Sequence, residues 1–119
     1  MEKIGSYRDL KVWQKGMDLA EEAYLLAKLL PKTEEYRLTS QLLRAAASVP
    51  ANIAEGHGRG TRKDYGNFIS IARGSLAETE TFLLLAVRIG MLTEQQADRA
   101  LGLAQELGKM LTVLRQRLA

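Results

Sequence analysis

The chain has 119 residues, including no cysteine, one histidine and two prolines, and its 17 basic and 14 acidic side chains give a formal charge of +3. This length predicts a single domain, residues 1–119, and the absence of cysteine excludes a disulfide scaffold, a zinc–thiolate site and a thiol nucleophile. Leucine and alanine together outnumber valine, isoleucine and threonine by about two to one, so the composition predicts an all-α fold.

The first helix is predicted over residues 7–30. Ser6 and Asp9 have the spacing of a capping box, in which each side chain accepts a backbone N–H of the other residue. Apolar residues then recur at alternating spacings of three and four, as on one face of a helix in a bundle. Pro31 is expected to end this helix.

The second helix is predicted over residues 34–56, with Thr33 as its cap and a kink at Pro50. The glycine-rich segment 56–60 is predicted to be a loop. Further capping boxes at Thr61–Asp64 and Thr93–Gln96 open the third and fourth helices, predicted over 62–89 and 94–117. Short connections between four long helices predict an antiparallel up-down four-helix bundle.

Two features of the third helix are more than packing within a single four-helix bundle requires. The stretch Phe82–Val87 is apolar around the whole helix, and three neighbouring helices would not easily cover it. We therefore expect a homo-oligomer and take Phe82, Leu84 and Leu85 as interface candidates. Small side chains also recur along this helix, which we expect to pack against the alanine-rich second helix. They are Gly66, Ser70, Gly74 and Ala77.

The sequence offers little for a membrane, a metal ion or catalysis. Residues 1–3 lack the apolar core of a signal peptide, and the longest apolar run, 82–87, is far shorter than the roughly 20 residues of a membrane span. The only histidine, His57, lies among glycines and is interpreted as a solvated loop residue rather than a general base or a metal ligand. We expect a cytoplasmic protein with no cofactor, no metal ion, no catalytic residue and no small-molecule substrate.

A row of polar side chains follows one face of the second helix, at steps of four, four and three. It consists of Arg44, Ser48, Asn52 and Glu55. The third helix offers polar partners at Asn67, Ser70, Arg73, Ser75 and Glu78. The favoured interpretation is a structural hydrogen-bonded network that includes Arg73 and Glu78. A surface for a partner and a catalytic cleft remain as alternatives, in that order.

Basic residues form two clusters that are candidates for nucleic-acid binding. One is Arg59, Arg62 and Lys63, and the other is Lys109, Arg115 and Arg117. We expect the clusters at opposite ends of the bundle, where each alone is more simply explained as solvated surface. Repetition of each cluster by the symmetry of an oligomer would produce a ring of positive charge that attracts phosphate groups.

Three segments together resemble a known family over nearly the whole chain. The central one is Arg44-Ala-Ala-Ala-Ser48-Val-Pro50-Ala-Asn52-Ile-Ala-Glu55-Gly56, and the others are Tyr7–Gln14 and Ile71–Glu78, with Arg59, Tyr65 and Phe68 between the central and the last segment. They resemble the bacterial four-helix-bundle proteins encoded in intervening sequences of 23S ribosomal RNA genes, which are often described as ribosomal-protein-like. The resemblance implies a left-handed bundle that assembles into a homopentamer, with a formal charge of about +15 for five copies, and it implies no catalytic residue.

These observations lead to three hypotheses about function. The first is a non-enzymatic oligomer that binds structured RNA or a ribonucleoprotein through basic residues repeated by symmetry. The second is a protein-binding scaffold or accessory subunit whose basic residues are only solvated. The third hypothesis is an enzyme that uses the polar row around Asn52 and Glu55. It is the weakest, since the sequence indicates no pairing of a nucleophile with a base.

Overall fold

The computed structural model describes residues 5–119 and confirms the all-α class. The four long helices are α1 (Lys11–Ala27), α2 (Leu38–Gly58), α3 (Arg62–Arg88) and α4 (Glu94–Arg117). Two short 3-10 helices, Tyr7–Asp9 and Lys32–Glu34, precede α1 and α2. Both α1 and α3 pack against α2 and α4, with antiparallel neighbours. Residues 1–3, on which the expectation about a signal peptide rests, lie outside the described residues.

The first helix is shorter than predicted at both ends. The Ser6–Asp9 capping box forms, but it caps the 3-10 helix, and Leu10 then adopts an extended backbone with φ −76° and ψ 127°. α1 consequently begins at Lys11. At its other end the N–H groups of Leu29 and Leu30 bond to carbonyls three residues back, at 2.9 and 3.2 Å. The helix tightens into a turn before Pro31, since a residue that precedes proline disfavours helical angles.

The second helix begins later and ends later than predicted. Glu34 belongs to the preceding 3-10 helix, and Arg37, with φ −119° and ψ −109°, separates that turn from α2. Gly56 and His57 continue the helix, so the predicted loop 56–60 is wrong except for a short turn around Gly60 (φ +89°). α2 runs without a break through Pro50, and the kink expected there stays a prediction.

The ends of α3 and α4 follow from local hydrogen bonds. Thr61 Oγ1 accepts the Asp64 N–H at 3.1 Å at the start of α3. Past its end, Gly90 has φ +80°, a conformation that glycine adopts without steric cost. The Gly90 and Met91 N–H groups donate to carbonyls of the last turn at 3.1 and 2.9 Å, as in a Schellman motif. Thr93 and Gln96 form both bonds of a capping box, at 2.9 and 3.0 Å.

Every helix contributes large side chains to one core. The fully buried ones are Leu19 from α1, Leu42, Val49 and Ile53 from α2, Ile69, Thr79 and Leu83 from α3, and Leu107 and Leu111 from α4. The apolar stretch 82–87 alternates between core and surface, because Leu83 and Ala86 are buried whereas Leu84 and Leu85 are exposed. Within residues 5–119 no helix combines the length and apolar composition that a membrane crossing needs.

Glycines permit two close helix approaches. A Cβ built on Gly56 would lie 2.7 Å from the Cβ of Phe68, and one built on Gly16 would lie 3.4 Å from the Cβ of Pro50. The small residues of α3 play a different part from the predicted one. Gly66 faces Arg115 of α4 rather than α2, and Gly74 has open space beside it. The tightest contact between α2 and α3 therefore depends on a glycine of α2.

This contact predicts opposite effects for two glycine-to-alanine substitutions. Gly56→Ala should lower the free energy of unfolding by about 1–3 kcal/mol, because the added methyl group forces Phe68 and Tyr65 to move. Gly102→Ala, with nothing within 4 Å of the new methyl group in the exposed middle of α4, should raise it by about 0.5–1 kcal/mol. Urea unfolding followed by circular dichroism measures both. Equal effects of the two substitutions would contradict the close packing at Gly56.

Candidate functional site

The two basic clusters lie at the same end of the bundle. With four antiparallel helices, α1 and α3 begin at the end where α2 and α4 finish, so the α2–α3 turn adjoins the end of the chain. The Arg62 guanidinium, just past this turn, donates to the backbone carbonyl of Arg117. The expectation that the clusters occupy opposite ends is therefore wrong. An even number of helices returns the chain to the end at which it started.

We call this region the basic end. It comprises the start of α1, the α2–α3 turn and the last turns of α4. Its cationic residues are Lys11, Arg59, Arg62, Lys63, Lys109, Arg115 and Arg117. Lys11 was not among the predicted binding residues, and it could have been found by placing the start of the first helix beside the end of the fourth.

Three of the arginines at the basic end make contacts within the chain. Arg62 bonds to α4, as described above. Arg115 Nε donates to Ser70 Oγ at 2.8 Å, and its guanidinium lies beside Gly66. Arg59 forms an ion pair with Glu55 at 3.7 Å, and its guanidinium carbon lies 5.3 Å from the centre of the Phe68 ring. These arginines help to hold α3 to its neighbours.

The other predicted cations at this end are free to bind a ligand. Lys63, Lys109 and Arg117 are exposed. None of the ion pairs found within residues 5–119 involves them: these pairs are Lys15–Glu106, Arg59–Glu55 and Arg99–Glu22. Lys11 is likewise exposed and outside these pairs, so the basic end presents four positive charges that no ion pair within residues 5–119 neutralises.

An apolar groove separates the start of α1 from the last turns of α4. Lys11, Lys109 and Arg117 line it together with apolar residues and Tyr65, and its volume is about 460 Å³. Burial raises the pKa of the Tyr65 phenol, so this side chain stays neutral near pH 7. Its ring meets the ring of His57 edge to face, with centroids 5.7 Å apart. His57 thus packs from the last turn of α2 rather than standing in a loop.

The predicted polar row is only partly a network. Ser48 Oγ lies 2.9 Å from Ser75 Oγ, which joins α2 to α3, and Asn52 Nδ2 donates to the Ser48 carbonyl and Oγ, both at 2.8 Å. Ser75 is buried, and its hydroxyl has a partner. These three side chains form a compact hydrogen-bonded bridge between the two helices.

The other residues predicted for the network divide between this contact and other surfaces. Arg44 and Glu78 are exposed and line a cleft of about 290 Å³ between α2 and α3, and Ser48 and Ser75 line the same cleft. Glu55 pairs with Arg59, one turn further along the same helix. Arg73 lines a groove between α3 and α4 beside Lys109. The structure therefore does not bring Arg73 and Glu55 to the Ser48 bridge. The periodicity of one helix cannot show which neighbouring helix each face of the next helix contacts.

The chemistry that the described residues can supply consists of hydrogen bonds and positive charge. Among residues 5–119, no group of three or more histidine and acidic side chains is placed to hold a metal ion. What the chain brings together is a bridge of neutral polar groups inside the α2–α3 contact and a set of cations around an apolar groove. The first arrangement can hold helices, and the second can attract anions.

Comparison with known proteins identifies relatives of the chain. A sequence model of the 23S rRNA-intervening sequence protein family matches residues 8–113. A crystal structure of a protein with unknown function from the S23 ribosomal protein family of Bacteroides thetaiotaomicron superimposes with a TM-score of 0.81. It shares 30% sequence identity, and the match covers 87% of this chain and 97% of that one. No curated protein matches the chain.

The geometry of the polar row predicts that its members contribute unequally to stability. Asn52→Ala removes two hydrogen bonds to Ser48 within α2, one of them to the hydroxyl that reaches Ser75 of α3, and should lower the free energy of unfolding by about 1–2 kcal/mol. Glu55→Ala breaks only a solvent-exposed ion pair and should lower it by about 0.5 kcal/mol or less. Denaturant unfolding of the two variants makes the comparison. A loss at Glu55 as large as at Asn52 would mean that Glu55 belongs to the bridge after all.

Proposed function

Because the chain belongs to the 23S rRNA-intervening sequence protein family, we propose that it is a non-enzymatic, self-associating protein that binds structured RNA through its basic end. The observation that carries this proposal is the convergence of Lys63, Lys109 and Arg117 on one end of the bundle, exposed and outside the ion pairs of the described chain. Exposed lysines and arginines supply the sequence-independent part of nucleic-acid affinity by neutralising phosphates.

A non-enzymatic role is supported by how the polar groups are used. Ser48, Asn52 and Ser75 hydrogen-bond to one another, so the two hydroxyl groups are held by neutral polar partners rather than by a base. His57, the one histidine of the sequence, packs against the Tyr65 ring. No nucleophile within residues 5–119 is hydrogen-bonded to a histidine or a carboxylate that could serve as its base.

Self-association would strengthen binding at the basic end. Three exposed cations on one small bundle make few phosphate contacts. A ring of five copies, as the family resemblance implies, repeats each of them five times. Once one copy engages a phosphate backbone, the others are held near it at a high effective concentration. A ring would therefore combine the modest charge of each chain into a positive electrostatic potential that attracts a folded RNA.

The surface proposed for self-association lies on the last turns of α3. Leu84, Leu85 and Ile89 are 53%, 42% and 52% exposed, within six consecutive residues. Phe82, the third predicted interface residue, is partly buried against the core and lines the cleft beside Arg44. Adjacent exposed apolar side chains of this size are a common feature of protein interfaces, so Leu84 and Leu85 are the stronger candidates.

RNA binding predicts a steep dependence on salt that is lost in a defined variant. The association constant for a fluorescently labelled RNA hairpin, measured by anisotropy, should fall linearly with salt on logarithmic axes. The variant K63Q/K109Q/R117Q removes three of the proposed phosphate contacts. Its slope should be smaller by about two, since each contact contributes roughly 0.7 to 0.9, and its affinity at about 50 mM salt should fall at least tenfold.

The matched control removes the same net charge from the opposite end. It is K28Q/K32Q/R88Q, whose three residues are all exposed. It should bind RNA with a slope close to that of the unsubstituted chain. Equal losses in both variants would mean that only net charge matters, and flat or absent binding at about 50 mM salt would contradict the proposal. Capture of one protein partner that resists nuclease treatment would instead favour the scaffold hypothesis.

Self-association predicts a change of mass in an α3 variant. The unsubstituted chain should sediment as a species several times heavier than its 13.2 kDa monomer, and L84E/L85E should sediment as the monomer because it introduces charges into the proposed interface. Tyr36→Glu, at a side chain that is 89% exposed in the α1–α2 connection, is the control and should leave the mass unchanged. A 13.2 kDa monomer for the unsubstituted chain at micromolar concentration would contradict self-association.

A further inference from the structure

The groove at the basic end has a composition that phosphate binding does not need. Its walls come from the start of α1, from Tyr65 of α3 and from α4, and almost all of its lining is apolar. The apolar residues are Leu10, Val12, Met110, Val113 and Leu114. An RNA backbone is polar along its whole length and gains nothing from such walls. The groove therefore fits a ligand that has an apolar body.

The charged residues of the groove have one sign. Among residues 5–119, Lys11, Lys109 and Arg117 line it, and no aspartate or glutamate does. Tyr65, the one other polar side chain of the lining, has a pKa raised by burial and stays neutral. An anionic group lying over the groove would therefore meet three cations and no opposing carboxylate among the lining residues.

We propose that this groove binds an amphiphilic carboxylate, with its hydrocarbon chain against the apolar walls and its carboxylate among Lys11, Lys109 and Arg117. The volume of about 460 Å³ lies in the range of small-molecule sites. The near absence of polar wall atoms disfavours a sugar or a nucleobase, whose polar edges would lose their hydrogen bonds to water without replacement. A neutral or cationic amphiphile would leave the three positive charges unmatched.

This site is separate from the proposed RNA function, although the two share cations. Arg59 and Lys63 belong to the basic end but do not line the groove. Val113, which lines it, is an apolar residue of α4 that is 45% exposed. Substitutions at these positions therefore distinguish the failure of one proposal from the failure of the other.

The test uses the full chain and three probes that share a ten-carbon chain. Isothermal titration below the micellar concentration should show saturable binding of decanoate, one per chain, and at least tenfold weaker binding of decanol and of decyltrimethylammonium. Octanoate, which is two methylenes shorter, should bind roughly fifteenfold more weakly than decanoate, because each buried methylene contributes about fourfold. Equal binding of the anionic and cationic probes, or no saturation with decanoate, would overturn the proposal.

Variants locate the site. Decanoate affinity should fall at least tenfold in V113W, in which the larger side chain occupies the groove, and in K11Q/K109Q/R117Q, which lacks the rim charges. It should be unchanged in R59Q/K63Q, which is expected to weaken RNA binding. The charge-matched control K28Q/K32Q/R88Q should also bind decanoate normally. Circular dichroism establishes that each variant is folded.

Amide chemical shifts provide a second measurement. Decanoate should shift the resonances of Met110, Val113 and Leu114 in the unsubstituted chain, and those of Leu84 and Leu85 should stay in place. Shifts confined to α3, or unchanged affinity in folded V113W, would show that decanoate binds elsewhere and would overturn the proposal.

Discussion

The close approach of α2 and α3 is the constraint on which the rest of the bundle depends. Gly56 has room for a hydrogen atom only, because a methyl group there would lie 2.7 Å from Phe68 Cβ. Two turns earlier on α2, Ser48 reaches Ser75 of α3 at 2.9 Å. Gly60, with φ +89°, then lets the chain reverse within a few residues. The two helices leave this turn antiparallel and in contact, and α1 and α4 complete the core against them.

This arrangement gives the two ends of the molecule different chemistry. Two helices begin and two finish at the basic end, so the partial charges of their dipoles largely offset one another there. The positive field at that end therefore comes from side chains. Arg59, Arg62 and Arg115 direct part of that charge into contacts with neighbouring helices. The exposed cations Lys11, Lys63, Lys109 and Arg117 supply the remainder, and those are the charges that an external anion can reach.

The features that the sequence alone predicts well are those that depend on a few adjacent residues. The Ser6–Asp9 and Thr93–Gln96 capping boxes involve bonds between residues at most three apart, and both form as their spacing indicates. The apolar periodicity likewise predicts four helices around one core. These signals are local or periodic, so they can be read without knowing which helix packs beside which.

The predictions that failed depend on contacts between distant parts of the chain. Gly56 is a helix breaker by propensity, but in the folded chain its missing side chain admits Phe68, and α2 continues to Gly58. Arg73 lies on the α4 side of α3, which the spacing of one helix does not show. The placement of both basic clusters at one end follows from the even number of helices in an up-down bundle. The apolar groove beside them could not be predicted, since its walls come from α1, α3 and α4.

The central segment of the family resemblance and the exposed cations of the basic end are different sets of residues. Within the segment Arg44–Gly56, Ser48 and Asn52 form the bridge to α3, and Gly56 admits Phe68. This segment therefore acts by holding α2 against α3. The exposed cations of the basic end lie outside it, at the starts of α1 and α3 and in the last turns of α4. The central segment accordingly accounts for the scaffold, whereas the chemistry of any ligand is set by the side chains that this scaffold brings to one end.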